Sequence, residues 1–268
     1  MTETTERRGG PPAGKRTPKT ATITAVRWVT DHMVRVTVAG GDVPTVDPTG
    51  FTDRYIKLVL GPPPVPDARP VVRTYTIRAV RDGEWDIDLV VHGDDGLGGP
   101  WAARVQPGEQ ITFLGPGGGY APDPDAPWHL LVGDDAALPA IAAALEALPA
   151  GTTAHAFVEV PGPVDEQAIA TAADVRLTWV HRGTGDLAAA VQSAHAAGEL
   201  PDGVPQAFLH GEASCVRELR RWARAGLGVP RELLSASGYW RRGHDDEAWR
   251  AAKKDWNAAV EQDDAALA

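Results

Sequence analysis

Residues 71–80, VVRTYTIRAV, are rich in β-branched residues and lie between a proline-rich segment and a turn at Asp82. That composition is typical of a β-strand, in which neighbouring side chains point to opposite faces. Arg73 and Tyr75 are therefore expected on one face of the strand, while Thr74 and Thr76 are expected on the other.

Five further runs of the same kind surround this segment, each bounded by turn residues. They are ATITAVRWV (21–29), MVRVTV (33–38), RYIKLVL (54–60), EWDIDLVVH (84–92) and EQITFL (109–114). No long helical pattern separates the six runs, which predicts a closed antiparallel barrel. WAARV, residues 101–105, follows Pro100 and predicts one short helix that this proline starts.

The second half of the chain has a different rhythm, in which apolar strands alternate with alanine-rich helical stretches. The strands are WHLLV (128–132), HAFVEV (155–160), VRLTWV (175–180), QAFLH (206–210) and LLSASGYW (233–240). Helices are expected near residues 135–148, 164–172, 186–197 and 213–225. Such alternation predicts βαβ units and a parallel sheet covered on both faces, as in nucleotide-binding domains.

The chain therefore divides into a barrel, an α/β domain and a C-terminal helix. We expect a disordered arm over residues 1–20, the barrel over 21–124, the α/β domain over 125–240 and the helix and tail over 241–268. In the tail, an apolar stripe predicts a helix over residues 245–259 that packs back on the body. Its members are Trp249, Ala252, Trp256 and Ala259.

Composition excludes several functional classes. The 268 residues carry a formal charge of −10, which argues against a nucleic-acid partner. A single cysteine, Cys215, excludes an intramolecular disulfide and a cysteine-rich iron–sulfur site, and the eight histidines show no ligand spacing, so we expect no protein-bound metal. No apolar run reaches the about 18 residues of a membrane span, and no secretory signal is evident, so we expect a cytoplasmic protein without membrane insertion.

Arg73 and Tyr75 have the chemistry to bind a flavin dinucleotide. A guanidinium group can bind a diphosphate through two hydrogen bonds, while a tyrosine two residues away can cover part of an isoalloxazine ring. Arginine and tyrosine on the solvated face of an ordinary antiparallel strand would give the same pattern. These residues alone leave both interpretations open.

Two loops are candidates for binding phosphate groups. VVHGDDGLGGPWA, residues 90–102, passes from a strand through a glycine-rich turn into a helix, an arrangement whose backbone amides can bind an anion. LLVGDDAALPAI, residues 130–141, is the first strand, loop and helix of the α/β domain, and Asp134 or Asp135 can cap that helix. Taken alone, the first can be an ordinary turn and the second a plain strand-to-helix junction.

Taken together, eight strings between residues 21 and 257 resemble the siderophore-interacting protein family, which comprises flavin-dependent ferric-siderophore reductases related to ferredoxin–NADP reductases. The strings are RTYTIR, DIDLVVHG, PWAARVQPGE, WHLLVGDDAALPAI, FVEVPGPVDEQ, VHRGTG, HGEAS and SGYWRRGHDDEAWRAAKKDW. The chain departs from the family pattern at Gly98 and Gly99, where members have a small residue followed by serine. It also has Asp135 where the family has glutamate.

The resemblance implies two sets of binding residues. Those expected to bind FAD or to border the nicotinamide are Arg73, Thr74, Tyr75, Thr76, Arg78, Val90, Val91, His92, Gly93, Gly98, Gly99, Trp101, Ala102, Asp134, Ala137, Leu138, Glu212, Tyr239 and Trp240. Helix capping is an alternative role for Asp134 and Glu212. Candidate cations for an anionic ferric chelate are Lys57, Arg242 and Lys253, for which a solvated surface charge is the alternative.

The implied activity is the reduction of ferric siderophores, with electrons passing from NADH or NADPH through FAD to Fe(III) and Fe(II) released for intracellular use. Because the cofactor performs the chemistry, no acid–base catalytic residue is expected. The alternatives are a reductase that exchanges electrons with a protein such as a ferredoxin, and a non-catalytic siderophore-binding module. Glu159 would favour a ribose diol and Arg182 a 2′-phosphate, so the choice between NADH and NADPH stays open.

Overall fold

The first half of the chain closes into an antiparallel β-barrel, as the sequence predicts. The computed structural model describes residues 17–61, 70–92 and 96–266, and within them the barrel has six strands in the order β1, β2, β5, β4, β3, β6. The strands are β1 (Lys19–Thr30), β2 (Met33–Ala39), β3 (Tyr55–Gly61), β4 (Val71–Arg81), β5 (Glu84–Val90) and β6 (Gln110–Gly117). The predicted arm over residues 1–20 falls mostly outside the described residues, and β1 already includes its last two residues.

Large apolar side chains fill the barrel. Ile56, Ile77, Trp85 and Phe113 are almost completely buried, and the rings of Trp85 and Phe113 meet edge to face with centroids 5.7 Å apart. Full burial of one such side chain stabilises a fold by about 1.5–3 kcal/mol. The barrel therefore has a core of its own.

The second half forms a parallel sheet, which confirms the predicted α/β domain. Within the described residues its five strands follow the order β11, β10, β7, β8, β9. The strands are β7 (His129–Asp134), β8 (Thr153–Val160), β9 (Asp174–His181), β10 (Gln206–Glu212) and β11 (Leu234–Trp240). The helices of this half are α2 (Leu138–Ala147), α3 (Leu187–Ala196), α4 (Ala213–Gly226) and the C-terminal α5 (Asp246–Ala265).

Two helix predictions need correction. Residues 164–172 do not form an α-helix; a 3-10 turn over Pro163–Asp165 is followed by irregular chain. Val164 and Ile169 lie about 140° apart around a helix and so offer no single apolar face, and Val164 is 70% exposed. The short helix α1 (Gly98–Ala102) begins two residues before Pro100, which occupies the first turn, where proline is tolerated.

Side chains from both halves join the barrel to the α/β domain. Arg78 of β4 makes two hydrogen bonds to Glu146 of α2, and His32, which follows β1, lies 2.9 Å from Asp165. The α5 helix also packs on the body, as predicted, with Trp249 buried. In the described part of the chain, no helix has the length and apolarity needed to span a membrane.

Candidate functional site

Arg73 and Tyr75 of β4 lie on the same side of the strand and face the start of α1. A Cβ atom built on Gly98 would lie 2.0 Å from the Tyr75 hydroxyl oxygen and 3.7 Å from Cγ of Arg73. Only glycine fits this close approach, which explains why the chain has no side chain at position 98. Burial raises the pKa of Tyr75 to about 12, so its hydroxyl stays protonated and neutral at physiological pH.

The guanidinium of Arg73 already binds carboxylates in this structure. Its Nη1 and Nη2 atoms each donate to one oxygen of Glu247 at 3.0 Å, and Nη1 lies 3.0 Å from Asp246. Both acidic residues belong to the first turn of α5. A carboxylate held by two parallel hydrogen bonds has the geometry with which arginine also binds phosphate oxygens, so the Arg73 guanidinium fits a flavin diphosphate in the place that Glu247 occupies.

The other residues predicted for the flavin site are spread around this centre. Thr74 is exposed, Thr76 is buried, Val90 ends β5 and Val91 directly follows it. His92 follows them and is exposed. The side chains of Trp101 and Ala102 pack against the barrel core, whereas the guanidinium of Arg78 is directed to Glu146 of the α/β domain. Gly93 lies outside the described residues.

Two of the three predicted substrate cations come close together. Lys57 of β3 pairs across the sheet with Thr74, which lies within RTYTIR (73–78). Burial, and then the positive charge of Lys57, lower the pKa of Lys253 on α5. The Lys253 ammonium donates to the Gly238 carbonyl at 2.9 Å and lies 5.8 Å from the Trp249 ring centroid. The third cation, Arg242, is exposed after β11, and its backbone amide binds Glu212.

Asp134 is a buried carboxylate at the carboxyl end of the central strand β7. It accepts hydrogen bonds from the backbone amides of Ala136 and Glu212, at 3.0 and 2.8 Å, and from Nε1 of Trp240 at 2.7 Å. Burial, and then the charge of Asp135, raise its pKa to about 7, although these three donors favour the charged form. Asp134 therefore holds the ends of β7, β10 and β11 together.

Other residues predicted to border the nicotinamide are bound to groups within the protein. Glu212 caps α4 by accepting from the amides of Ser214 and Cys215, at 2.7 and 2.9 Å, so the capping alternative holds for it. The side chains of Ala137 and Leu138 are buried, and the backbone of Ala137 is hydrogen-bonded to Asp134, Ala140 and Ile141. The hydroxyl of Tyr239 is bound to a ring nitrogen of His210 at 2.9 Å.

Comparisons with known proteins agree with this arrangement. A family model described as siderophore-interacting protein matches residues 126–243, and one described as siderophore-interacting FAD-binding domain matches residues 62–120. The chain belongs to the siderophore-interacting protein family. The resemblance inferred from the sequence strings is thus confirmed, together with the barrel and parallel-sheet architecture.

Relatives with similar sequences or structures come from several bacteria. The uncharacterized protein Rv2895c of Mycobacterium tuberculosis is 43% identical, over 87% of this chain and 93% of its own length. The ferric vibriobactin reductase ViuB of Vibrio cholerae is 36% identical, over 69% of each chain. The siderophore-interacting protein SipS of Aeromonas hydrophila superposes with a TM-score of 0.76 and 32% identity, over 90% of this chain and 98% of SipS.

Some residues of this family site were not found from the sequence. Asp246 and Glu247 belong to one of the family-like strings, but their contacts with Arg73 join residues 173 and 174 positions apart. The one local signal was the acidic run HDDE before a helical stripe, which indicates a helix start but not its partner. His210 was likewise treated as an ordinary strand residue.

Proposed function

We propose that the protein reduces ferric siderophores, taking electrons from NADH or NADPH through bound FAD. When bound, FAD supplies the conversion of a two-electron hydride donor into single-electron transfers to iron. The protein's own residues bind and orient: Arg73 holds the diphosphate, Tyr75 lies beside the ring system, and the lysines attract the chelate. No side chain is required to transfer a proton to the substrate.

The observation that carries the proposal is the position of Lys57 beside β4, with Lys253 of α5 nearby. Because Lys57 is the direct cross-strand partner of Thr74, the Cβ atoms of the two residues lie about 4.5–5.5 Å apart. Lys253 is near enough for the charge of Lys57 to lower its pKa. Lys57 shares the face of Thr74, and the other face of the same strand carries Arg73 and Tyr75, so we expect the two lysines to attract an anionic ferric chelate to the strand that binds the flavin.

The chemistry of iron chelates explains how such a reaction releases the metal. Hydroxamate and catecholate oxygens are hard ligands that suit Fe(III) better than Fe(II), so one added electron loosens the complex. Each tenfold preference for Fe(III) makes the chelate harder to reduce by about 59 mV. We therefore expect ferric hydroxamates, whose preference is smaller, to be reduced more readily than ferric catecholates.

An anaerobic turnover assay tests the proposal. The protein is loaded with FAD and mixed with NADH or NADPH, a ferric hydroxamate or a ferric catecholate, and a chelator that colours only with Fe(II). We expect nucleotide oxidation coupled to Fe(II) formation. A ferredoxin is the alternative acceptor, for which the comparisons give no support. Reduction of ferredoxin without any Fe(II) from the chelates, or a protein that takes up no FAD, would reject the proposal.

Substitution of Lys253 tests the docking of the substrate. Lys253→Ala should raise the apparent KM for an anionic ferric chelate by about three- to tenfold, because one of two attracting charges is lost. Flavin content should stay unchanged, since Lys253 contacts Gly238 and Trp249 rather than Arg73. The matched control is Lys254→Ala, which removes an exposed lysine from the same helix. Equal KM values for both variants would remove Lys253 from the substrate site.

A further inference from the structure

The carboxyl ends of β7, β8 and β9 carry an ion-pair cluster that the electron-transfer path does not use. Arg182, directly after β9, donates from Nε to Glu159 Oε1 at 2.9 Å and from Nη2 to Asp135 Oδ2 at 3.2 Å. Glu159 is the penultimate residue of β8, and Asp135 directly follows β7. The three side chains therefore form one cluster along the carboxyl edge of the sheet.

The topology places this cluster where the adenosine end of a dinucleotide binds. In open parallel sheets, the dinucleotide crosses the carboxyl edge at the point where the strand order reverses. Here that point lies between β7 and β10, the two inner strands from which the sheet extends in opposite directions. An acidic residue at the end of the second strand of such a domain accepts hydrogen bonds from the ribose diol of NAD. Glu159 holds that position in β8.

A groove beside the cluster supports the same location. It has a volume of about 460 Å³ and is lined by the end of β9, the loop after it and the first turns of α3. His181 and Thr184, which flank Arg182 in the sequence, both contribute to its wall. This shallow, open groove adjoins the loop that carries Arg182 and is large enough for a nucleoside.

The partners of Arg182 decide which nucleoside fits. Two carboxylates on one guanidinium leave the cluster with a formal charge of −1. Nη1 of Arg182 makes no hydrogen bond within the described residues, but a phosphate could reach it only beside both carboxylates. No described residue donates to Oε2 of Glu159, so this oxygen can accept from a ribose hydroxyl. The site therefore attracts a neutral diol and repels a 2′-phosphate.

We propose that Glu159, with Arg182 held between it and Asp135, makes NADH the preferred electron donor over NADPH. The inference rests on the proposed function and selects one of its two nucleotides. In this arrangement Glu159 is the residue that contacts the ribose, and Arg182 is a positioning residue that holds the Glu159 carboxylate in place.

Kinetic comparison of the two nucleotides is the first test. The FAD-loaded wild-type protein should show a kcat/KM for NADH about tenfold or more above that for NADPH. Glu159→Gln should reduce this ratio about tenfold, because the diol loses its charged acceptor and Arg182 becomes available to a phosphate. Glu199→Gln is the matched control: it removes a carboxylate paired with Arg176 of β9, outside both the cluster and the groove, and it should leave the ratio unchanged.

Calorimetric binding of ADP-ribose and of its 2′-phosphorylated form is the second test, and it needs no flavin chemistry. The wild type should bind ADP-ribose more tightly, and Glu159→Gln should bind the two forms with similar affinity. Equal or stronger use of NADPH by the wild type would overturn this inference and leave the proposed reductase intact. Binding of neither ligand, with no oxidation of either nucleotide, would overturn both the inference and the nicotinamide half of the proposed function.

Discussion

Arg73 belongs to β4, and its side chain binds the C-terminal helix α5. Its side chain is 11% exposed and holds Glu247 through both terminal nitrogens. Among the described residues, no acceptor binds Nε or the second Nη2 hydrogen, but two carboxylates already neutralise the charge that would attract a diphosphate. We therefore infer that flavin loading competes with the docking of the first turn of α5.

Removal of one carboxylate tests this competition. Glu247→Gln should lower the dissociation constant for FAD by about three- to tenfold, because the charge of Arg73 becomes more available to the diphosphate. Quenching of flavin fluorescence on binding measures it. Glu261→Gln, an exposed position on the same helix, is the control. Weaker FAD binding in Glu247→Gln would show instead that this carboxylate orients Arg73 for the cofactor.

Gly98 gives a second prediction at the scale of single residues. In Gly98→Ala, the new methyl group would collide with the Tyr75 hydroxyl, 2.0 Å from the ideal Cβ position, and would displace the ring. We expect FAD affinity to fall at least about tenfold, while the free energy of unfolding falls by only about 1–3 kcal/mol. Gly119→Ala, where a Cβ meets open space, is the control for both measurements. Unchanged FAD affinity would separate Tyr75 from the flavin site.

The chemistry of single residues was predictable from the sequence, but their partners were not. A period of two along a strand is a local property, and it put Arg73 and Tyr75 on one side of β4. The contact of Arg73 with Glu247 depends instead on how the last helix returns to the barrel. No local pattern encodes that path, so the sequence could not identify Asp246 and Glu247 as the carboxylates that bind Arg73.

Among the elements, β10 and β11 are joined by a buried histidine. The ring of His210 stacks on Phe208, with centroids 3.7 Å apart, and its nitrogens bind Tyr239 and Ser235 at 2.9 Å each. Burial, and then the charge of Lys253, lower its pKa to about 3. The histidine is therefore neutral in the folded protein throughout the physiological range.

This histidine should make stability depend on pH. The pKa of His210 in the folded protein lies below the unfolded value of about 6.5, so between these values the unfolded chain binds one more proton. Its contribution to stability is present above pH 6.5 and is lost as the pH falls, by up to about 1.4 kcal/mol per pH unit. Urea unfolding at pH 7.5 and 5.0 should show a larger loss in the wild type than in His210→Gln. Equal losses would mean that His210 is protonated in the folded state.

Element types were well predicted wherever an apolar pattern persisted over several turns or along a strand. The strands of both sheets and the helices α2, α3 and α4 confirm this. The helix prediction for residues 164–172 was wrong, because alanine favours a helix but does not supply an apolar face that can be buried. In the structure this segment lies against the barrel instead, where Asp165 binds His32 and Gln167 contacts Met33. That docking is a tertiary contact, which the local sequence does not show.

At the scale of the whole molecule, the barrel and the α/β domain are held by ion pairs across their boundary. Arg78 and Glu146 form a bidentate pair in which the arginine is largely buried. A double-mutant cycle with Arg78→Gln and Glu146→Gln should give a coupling energy of about 1 kcal/mol, near the upper end for partly exposed pairs. Urea unfolding of the four proteins measures it. Strictly additive effects would show that the pair does not join the two halves.

The same pair gives a predicted cofactor residue a structural role. Arg78 belongs to RTYTIR together with Arg73, and its guanidinium binds Glu146 of α2. If its role is to join the domains, Arg78→Gln should keep its flavin. Loss of FAD from this variant, with unfolding free energy unchanged, would return Arg78 to the cofactor site.

The C-terminal helix spans the molecule from one half to the other. Its first turn binds Arg73 of the barrel. Further along, Trp256 donates to the Ala213 carbonyl of the α/β domain. Near the end of α5, Asp264 pairs with arginines that include Arg220 and Arg231. A purification tag fused directly after α5 would lie next to the ion pairs of Asp264. Tags for crystallisation or assay are therefore better attached at the amino terminus than at the end of α5, because this helix contacts Arg73 of β4.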